Sequence, residues 1–292
     1  LGSFAPRDEA ANTTVSQIID RYLLEVVPNF KGAERERYAL ANLRGLLGTY
    51  TLAALSPLAV AMYRDKRGAK VSGATVLREI NRLSALLNHA KREWGISFQN
   101  PVSAIRKPTP STGRTRRLEG DEESRLMSAL GAQGRGPDGR LKGGTRNHWI
   151  KPIVELAVAT GMRRGELLAL DWHFVDLDRR IAHLPITKNG FARDVPLSSS
   201  ACEVLRKLPR SISGLVFPVT VEAFKQAFTR ACKSAGLVNF RFHDLRHEAT
   251  SRLAERLNVL ELAAVTGHRD LKMLHRYTHL RAADIAAKLS RT

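Results

Sequence analysis

The stretch Ile181-Ala182-His183-Leu184-Pro185-Ile186-Thr187-Lys188-Asn189-Gly190-Phe191-Ala192-Arg193-Asp194-Val195-Pro196-Leu197 sets the fold class of this chain. Asn-Gly between two short, partly apolar runs is a hairpin signal, because both residues accept the left-handed backbone of a two-residue turn. Short strands are expected over 174–197. On both sides the apolar residues recur every three or four positions, the helical period. Upstream, helices are expected over about 119–130, 148–159 and 164–171, the last two separated at Thr160-Gly161. Downstream they are expected over about 200–208, 221–235, 244–257, 259–266, 271–279 and 281–289. The fold class is mainly α with a small antiparallel β-sheet.

The amino-terminal part reads as all helix. Thr13/Thr14 can cap a helix running to about Val27, with Val15, Ile18, Ile19, Tyr22 and Leu23 on its apolar face. A second helix is expected from about Glu34 to Leu47, and Ser56-Pro57 is a favourable N-cap and first-position pair for a third. In a fourth, Val76, Ile80, Leu83, Leu87, Ala90 and Trp94 recur at helical spacing until Gly95. The organisation expected is a helical domain over 8–98, a basic interdomain linker over 99–117 and a second domain over 118–292. The linker holds three prolines, five basic residues and no acidic one, which favours an extended path able to follow phosphates. The stretch 131–144 holds six glycines and a Pro-Asp-Gly turn and reads as a surface loop; it lacks the Gly-Lys-Ser/Thr element of a phosphate-cradling loop.

Charge narrows the function. The 292 residues carry a net charge of +19 and an isoelectric point near 10.6, which points to a polyanionic partner, nucleic acid first. Cys202 and Cys232 lie in no metal-type spacing and read as reduced core thiols of a cytosolic protein. No apolar run is long enough for a membrane span and no signal peptide is visible, so a cytoplasmic location is expected.

Three local strings carry chemistry. They are Ala159-Thr160-Gly161-Met162-Arg163-Arg164-Gly165-Glu166-Leu167, then Phe242-His243-Asp244-Leu245-Arg246-His247, then Thr266-Gly267-His268 followed nine residues on by Tyr277. From these strings Arg163, His243, Arg246 and His268, together with Lys188, offer five candidate cations, and Tyr277 one phenol. Attack on a phosphodiester raises the negative charge on the phosphoryl oxygens, so a catalyst needs fixed positive donors there. Arginine suits this because its planar fork binds two oxygens and stays protonated. Tyr277 would attack, and a phenol needs nearby positive charge or a base to do so.

The ordered set Arg163, Lys188, His243-x-x-Arg246, His268, Tyr277 resembles the signature of the tyrosine recombinases, also called the phage integrase family. The resemblance covers roughly residues 8 to 290. It implies a two-domain architecture, with a helical core-binding domain and a mixed α/β catalytic domain. It implies that Arg163 and Arg246 clamp the scissile phosphate and that Glu166 orients Arg163. Lys188, on the hairpin, would protonate the departing 5′ oxygen, with Arg193 a nearby competitor for that role. His243 would bond the phosphate or take the tyrosine's proton, and His268 would bond a non-bridging oxygen. Arg106, Lys107, Arg114, Arg116 and Arg117 are the candidate DNA contacts of the linker. The reaction would pass through a 3′-phosphotyrosyl link and a Holliday junction, with no metal and no cofactor. The partners implied are double-stranded DNA recombination sites, a homotetramer on DNA that is weakly associated or monomeric without it, and an accessory DNA-bending protein. The last helix, about Ala282 to Leu289, would dock on a neighbouring protomer. A bacterial, nucleoid- or plasmid-associated setting follows.

Within the family, Arg92-Glu93-Trp94-Gly95, residues 182–190 and 193–198, Phe242 to Ala249 and Arg276 to Ala282 look like the plasmid shufflon-type invertase branch. The chain differs from that branch in the Gly-rich 131–144 segment and in having no long C-terminal extension. Inversion, integration and excision therefore stay open. Two other classes use parts of the same inventory: a type IB topoisomerase and a non-catalytic DNA-binding regulator. The pairs His243/His247 and His275/His279 stand at a spacing that can bind zinc, but no acidic cluster accompanies them and two arginines would repel a cation.

Overall fold

The computed structural model describes residues 7–30, 32–109, 114–131, 145, 147–185 and 192–277. It divides into two compact units, Leu1–Gly113 and Arg114–Thr292.

In the amino-terminal unit the helices are α1 (Arg7–Asn12), α2 (Val15–Glu25), α3 (Ala33–Leu47), α4 (Pro57–Gly68) and α5 (Gly73–Glu93). Four of these follow the apolar periodicity, and α1 is an addition to it. Thr14 closes a capping box with Gln17, which satisfies backbone N–H groups that the first turn of α2 would otherwise leave unpaired. Ser56 accepts from the Ala59 N–H at 3.3 Å ahead of Pro57. Val76, Ile80, Leu83, Leu87 and Ala90 form the buried stripe of α5, and the chain leaves at Gly95, whose φ of 72° needs a residue without a Cβ. Each fully buried Val, Ile or Leu side chain of that stripe contributes about 1.5–3 kcal/mol. One charge enters this core. Glu79, 3% exposed, accepts from the Tyr63 hydroxyl at 2.7 Å and from Arg67 at 2.6 and 2.9 Å, tying α4 to α5. A short 3₁₀ turn, Pro101–Ala104, buries Pro101 and Val102 against the same unit.

The carboxy-terminal unit holds α6 (Glu122–Leu130), α7 (Ile150–Thr160), α8 (Arg164–Leu168), α9 (Ser199–Arg206), α10 (Val221–Ser234), α11 (Phe242–Ala254) and α12 (Val259–Thr266). Between α8 and α9 lies one antiparallel sheet, β1 (Val175–Asp176), β2 (Ile181–Leu184) and β3 (Arg193–Pro196), in the order β1-β2-β3. Ala182 pairs with Val195 and Leu184 with Arg193, and buried Ala182, Leu184 and Val195 face the core. The expected fold class, mainly α with a small antiparallel sheet, is the one observed. The Asn189-Gly190 turn and the expected helix over 281–289 lie outside the described residues.

Two expected helices differ. The one over 164–171 stops at Leu168, because the Leu170 carbonyl accepts the Val216 N–H at 2.8 Å and Asp171 bridges to Leu215. The one over 271–279 is a 3₁₀ turn, Leu271–Met273, continued by tight turns to Tyr277. Its backbone bonds span three residues, as in Leu274 N–H to Leu271 O at 2.9 Å and Tyr277 N–H to Leu274 O at 2.8 Å. Leu274 alone of 271–277 is buried, so this segment has no apolar stripe to support a longer α-helix.

Candidate active site

The site is organised by two helix ends. α7 and α12 both stop at a glycine in the left-handed conformation, Gly161 at φ 65° and Gly267 at φ 69°. Such caps turn terminal carbonyls out of the helix, free to accept from outside. Arg246 on α11 takes these carbonyls. One guanidinium nitrogen donates to Gly161 O at 2.6 Å and the other to Thr266 O. Arg246 is 5% exposed and its bonds are to neutral acceptors. Burial first, then the neighbouring Arg163, pulls its pKa down to about 9. A guanidinium has five N–H donors in a fixed fork, so its remaining donors can serve an anion. Arg246 lines a cavity of about 290 Å³ with Met162, Arg163, Arg164, Arg241, Phe242 and His243.

Glu166 fixes the second arginine. Arg163 is the N-cap of α8, and its own N–H donates to Glu166 at 2.8 Å while its guanidinium donates at 2.7 Å. Arg163 also donates to Gly267 O at 3.3 Å, so both arginines meet the end of α12. Arg193 on β3 donates to the two Glu166 oxygens at 3.2 and 3.0 Å. Burial favours the neutral acid, but the Arg163 N–H and the Arg193 and Arg163 guanidiniums outweigh it and hold the carboxyl below its usual range.

Thr266 fixes the tautomer of His268. The threonine hydroxyl donates to Leu262 O at 2.5 Å and lies 2.6 Å from His268 Nδ1. A hydroxyl has one proton to give, so Nδ1 must carry the proton of that second bond. In the neutral ring Nε2 is then a bare acceptor. Burial, followed by Arg246 and Arg163, pulls the His268 pKa down to about 4.

Tyr277 returns from the 3₁₀ turn to α11. Its hydroxyl is hydrogen-bonded to His247 Nδ1, with the two rings stacked at 6.1 Å between centroids. Burial raises the phenol's pKa, opposed by Arg276, Arg246 and Arg117. The imidazole at the phenol is thus that of His247, one turn beyond His243, whose ring meets it edge-on at 5.4 Å.

The phage integrase family matches residues 116–284 of this chain. The chain belongs to that family. The recombinase is 39% identical over 295 residues to the shufflon-specific DNA recombinase of Escherichia coli, covering 97% of this chain and 73% of that protein. It is 30% identical over 239 residues to the integrase of Salmonella phage P22, covering 75% of this chain and 56% of that integrase. Its fold is similar to that of a lambda integrase dimer solved on a COC′ core site: TM-score 0.76, 21% identity, 92% of this chain and 97% of that one. It is also similar to the Tn1549 transposon integrase solved with transposon right end DNA: TM-score 0.74, 17% identity, 96% and 99% coverage. The enzyme is a tyrosine-type site-specific recombinase.

Arg163, Arg246 and His268 of the recombinase converge on the end of α12, and Tyr277 meets α11 at His247, whose ring lies against that of His243 on the same helix. Lys188 lies outside the described residues. The basic segment before α6 is held by carboxylates of its own unit. Arg114 donates to buried Asp244 at 2.9 and 2.7 Å, Arg116 to Glu122 at 2.5 Å and Arg117 to Glu248 at 3.1 and 3.2 Å. Arg106 and Lys107 are exposed on the amino-terminal unit, where Lys107 donates to Asn81 at 3.1 Å. Sequence reasoning left out the roles of His247 and Thr266, and it set Arg193 beside Lys188 as a competing acid where the structure bonds it to Glu166. Thr266 sits in a quoted string two residues from His268, whereas Arg193 sits on the hairpin with its partner Glu166 27 residues away. Among the described residues no group of three or more His, Cys, Asp or Glu could hold a metal, and no helix is long and apolar enough to cross a membrane.

Proposed function

We propose that the recombinase cuts and rejoins two DNA duplexes at specific sites, with Tyr277 as nucleophile and Arg163 and Arg246 as the phosphate clamp. The observation that carries this reading is Arg246: a buried guanidinium bonded to two helix-end carbonyls, beside Arg163 and the 290 Å³ cavity. Arg246 bonds neutral carbonyls and shares the Glu166 carboxylate with Arg163 and Arg193, so a phosphodiester oxygen would supply negative charge that the three guanidiniums lack. Tyr277 attacks the phosphorus, a 3′-phosphotyrosyl bond forms and the 5′ oxygen leaves, protonated by Lys188. A 5′ hydroxyl of the partner strand then attacks that ester. Bond energy is kept in the tyrosyl link, so neither ATP nor a metal is needed.

Four protomers on two double-stranded sites, passing through a Holliday junction, fit this chemistry, since each exchange pairs two strands. One solved relative is a lambda integrase tetramer bound to a Holliday junction. An accessory DNA-bending protein and a cytoplasmic, nucleoid- or plasmid-bound setting belong to the same proposal. Inversion is favoured by the 39% identity to the shufflon-specific recombinase, and the P22 integrase keeps integration or excision as the second reading. Covalent adducts captured from source DNA identify the site, and plasmids then carry two copies in inverted or direct orientation. Segment inversion or excision that needs both copies supports the reading. Relaxation of a plasmid with no site, and no exchange, would replace it with a topoisomerase.

A further inference from the structure

We propose that His247 Nδ1 is the proton acceptor for the Tyr277 hydroxyl during strand cleavage and the donor that returns that proton during rejoining. The inference rests on Tyr277 being the nucleophile. Its basis is geometric. His247 occupies the middle of α11, one position after Arg246, so the phosphate clamp and the acceptor share one rigid element. The 3₁₀ turn Leu271–Met273 folds the chain back so that the phenolic oxygen reaches Nδ1. Stacking of the two rings holds that contact in register. A general base must lie within hydrogen-bond reach of the proton it abstracts, and this pair already meets that condition.

The step balances. The phenol O–H bond breaks as Nδ1–H and P–O(Tyr277) form, and the P–O5′ bond breaks with its electron pair leaving on the 5′ oxygen. That oxygen takes a proton from the general acid, and His247 ends as an imidazolium beside the phosphotyrosyl ester. In rejoining, the attacking 5′ hydroxyl loses its proton to the conjugate base of that acid while His247 reprotonates the departing phenolate.

The surroundings keep His247 neutral until then. Burial and His243 push its pKa down, Asp244 opposes them, and Arg276 and Arg246 push it down further. His268 and Arg117 also act on the pair, the first through its coupling to His247 and the second on Tyr277. With the phenol raised and the imidazole lowered, proton transfer in the free enzyme is uphill. It becomes favourable as the P–O bond forms, which ties deprotonation to the presence of DNA.

The test is single-turnover cleavage of a suicide substrate by the parent, His247→Ala, His247→Asn and Tyr277→Phe. Asn keeps a polar group near Nδ1 but is not a base, so it separates acceptance of a proton from positioning. Both His247 variants are expected to lose about 10²–10⁴-fold in rate. Added imidazole should restore part of the His247→Ala rate, and the acid limb of the parent's pH–rate profile should vanish in His247→Asn. A 5′-bridging phosphorothiolate, whose leaving group needs no acid, should leave the defect in place. Parental rates in His247→Asn, faster cleavage in His247→Ala, or no rescue by imidazole in a variant that melts like the parent would each overturn the proposal. Covalent product with Tyr277→Phe would instead overturn the nucleophile on which it rests.

Discussion

Replacing Glu166 by Gln should unsettle both the fold of the carboxy-terminal unit and the phosphate clamp. Glu166 is 7% exposed and accepts four hydrogen bonds, from the Arg163 N–H at 2.8 Å, the Arg163 guanidinium at 2.7 Å and Arg193 at 3.2 and 3.0 Å. A glutamine oxygen can keep only part of that set, and its NH₂ would face a guanidinium. The cluster of Arg163, Arg193, Arg246 and Glu166 would also lose its one carboxylate. Removing one member of a buried pair costs about 3–5 kcal/mol. Arg163 keeps partial solvent contact, which places the expected loss near the lower end, about 3 kcal/mol. At about 2–4 °C per kcal/mol for a unit of this size, melting should fall by roughly 6–12 °C. The pH dependence has a definite sign. The folded carboxyl lies below its unfolded value, so its contribution is present above about pH 4.3 and is lost as pH falls through the folded pKa. Glu166→Gln should lose that part of the acid limb. Calorimetric melting across pH, with cleavage assays below the melting range, makes the measurement. A shift under about 2 °C with an unchanged acid limb and normal cleavage would refute the reasoning.

Gly267→Ala should cost more than Gly161→Ala. Both glycines have left-handed φ, worth about 1–2 kcal/mol for a Cβ, but a Cβ on Gly267 would sit 2.5 Å from an Arg193 nitrogen, whereas that on Gly161 meets Ala249 at 3.6 Å. Equal loss of melting temperature in the two variants would contradict this. DNA binding should take up close to one proton per site near neutral pH, because His268 Nε2 can donate to a phosphoryl oxygen only once protonated and its pKa is about 4 without DNA. Calorimetry in buffers of different ionisation enthalpy checks this, and His268→Trp, whose indole N–H donates without titrating, should show no uptake at this position. In the DNA-free protein the same depressed pKa means that stability falls as pH drops from about 6.5 toward about 4.

Much of the site was legible because its residues lie in short strings at helix starts and ends. Thr160-Gly161 ahead of Arg163 marks a helix end from composition alone, and Gly267 does the same before His268. Asn189-Gly190 pointed to a hairpin, and β2 and β3 do pair antiparallel, but Leu184 faces Arg193 where a two-residue turn centred on Asn189-Gly190 would place Leu184 opposite Val195, and the turn itself lies outside the described residues. What the sequence hid depends on long-range approach. His247 looked like the second half of an i, i+4 histidine pair until the path of 271–277 brought Tyr277 onto it. That path follows a 3₁₀ turn where the sequence suggested an α-helix, because local periodicity does not reveal that Leu274 is the segment's single buried anchor. Arg114 and Arg117 looked available to phosphates, yet their carboxylate partners, Asp244 and Glu248, lie 130 and 131 residues away in sequence.

The most direct measurement is the identity of the residue that becomes covalently attached to DNA. A suicide substrate should trap the adduct, and tryptic mass spectrometry should place the nucleotide on the peptide Tyr277-Thr278-His279-Leu280-Arg281. An adduct carried by any other residue, or no adduct from an enzyme that still exchanges strands, would contradict the account.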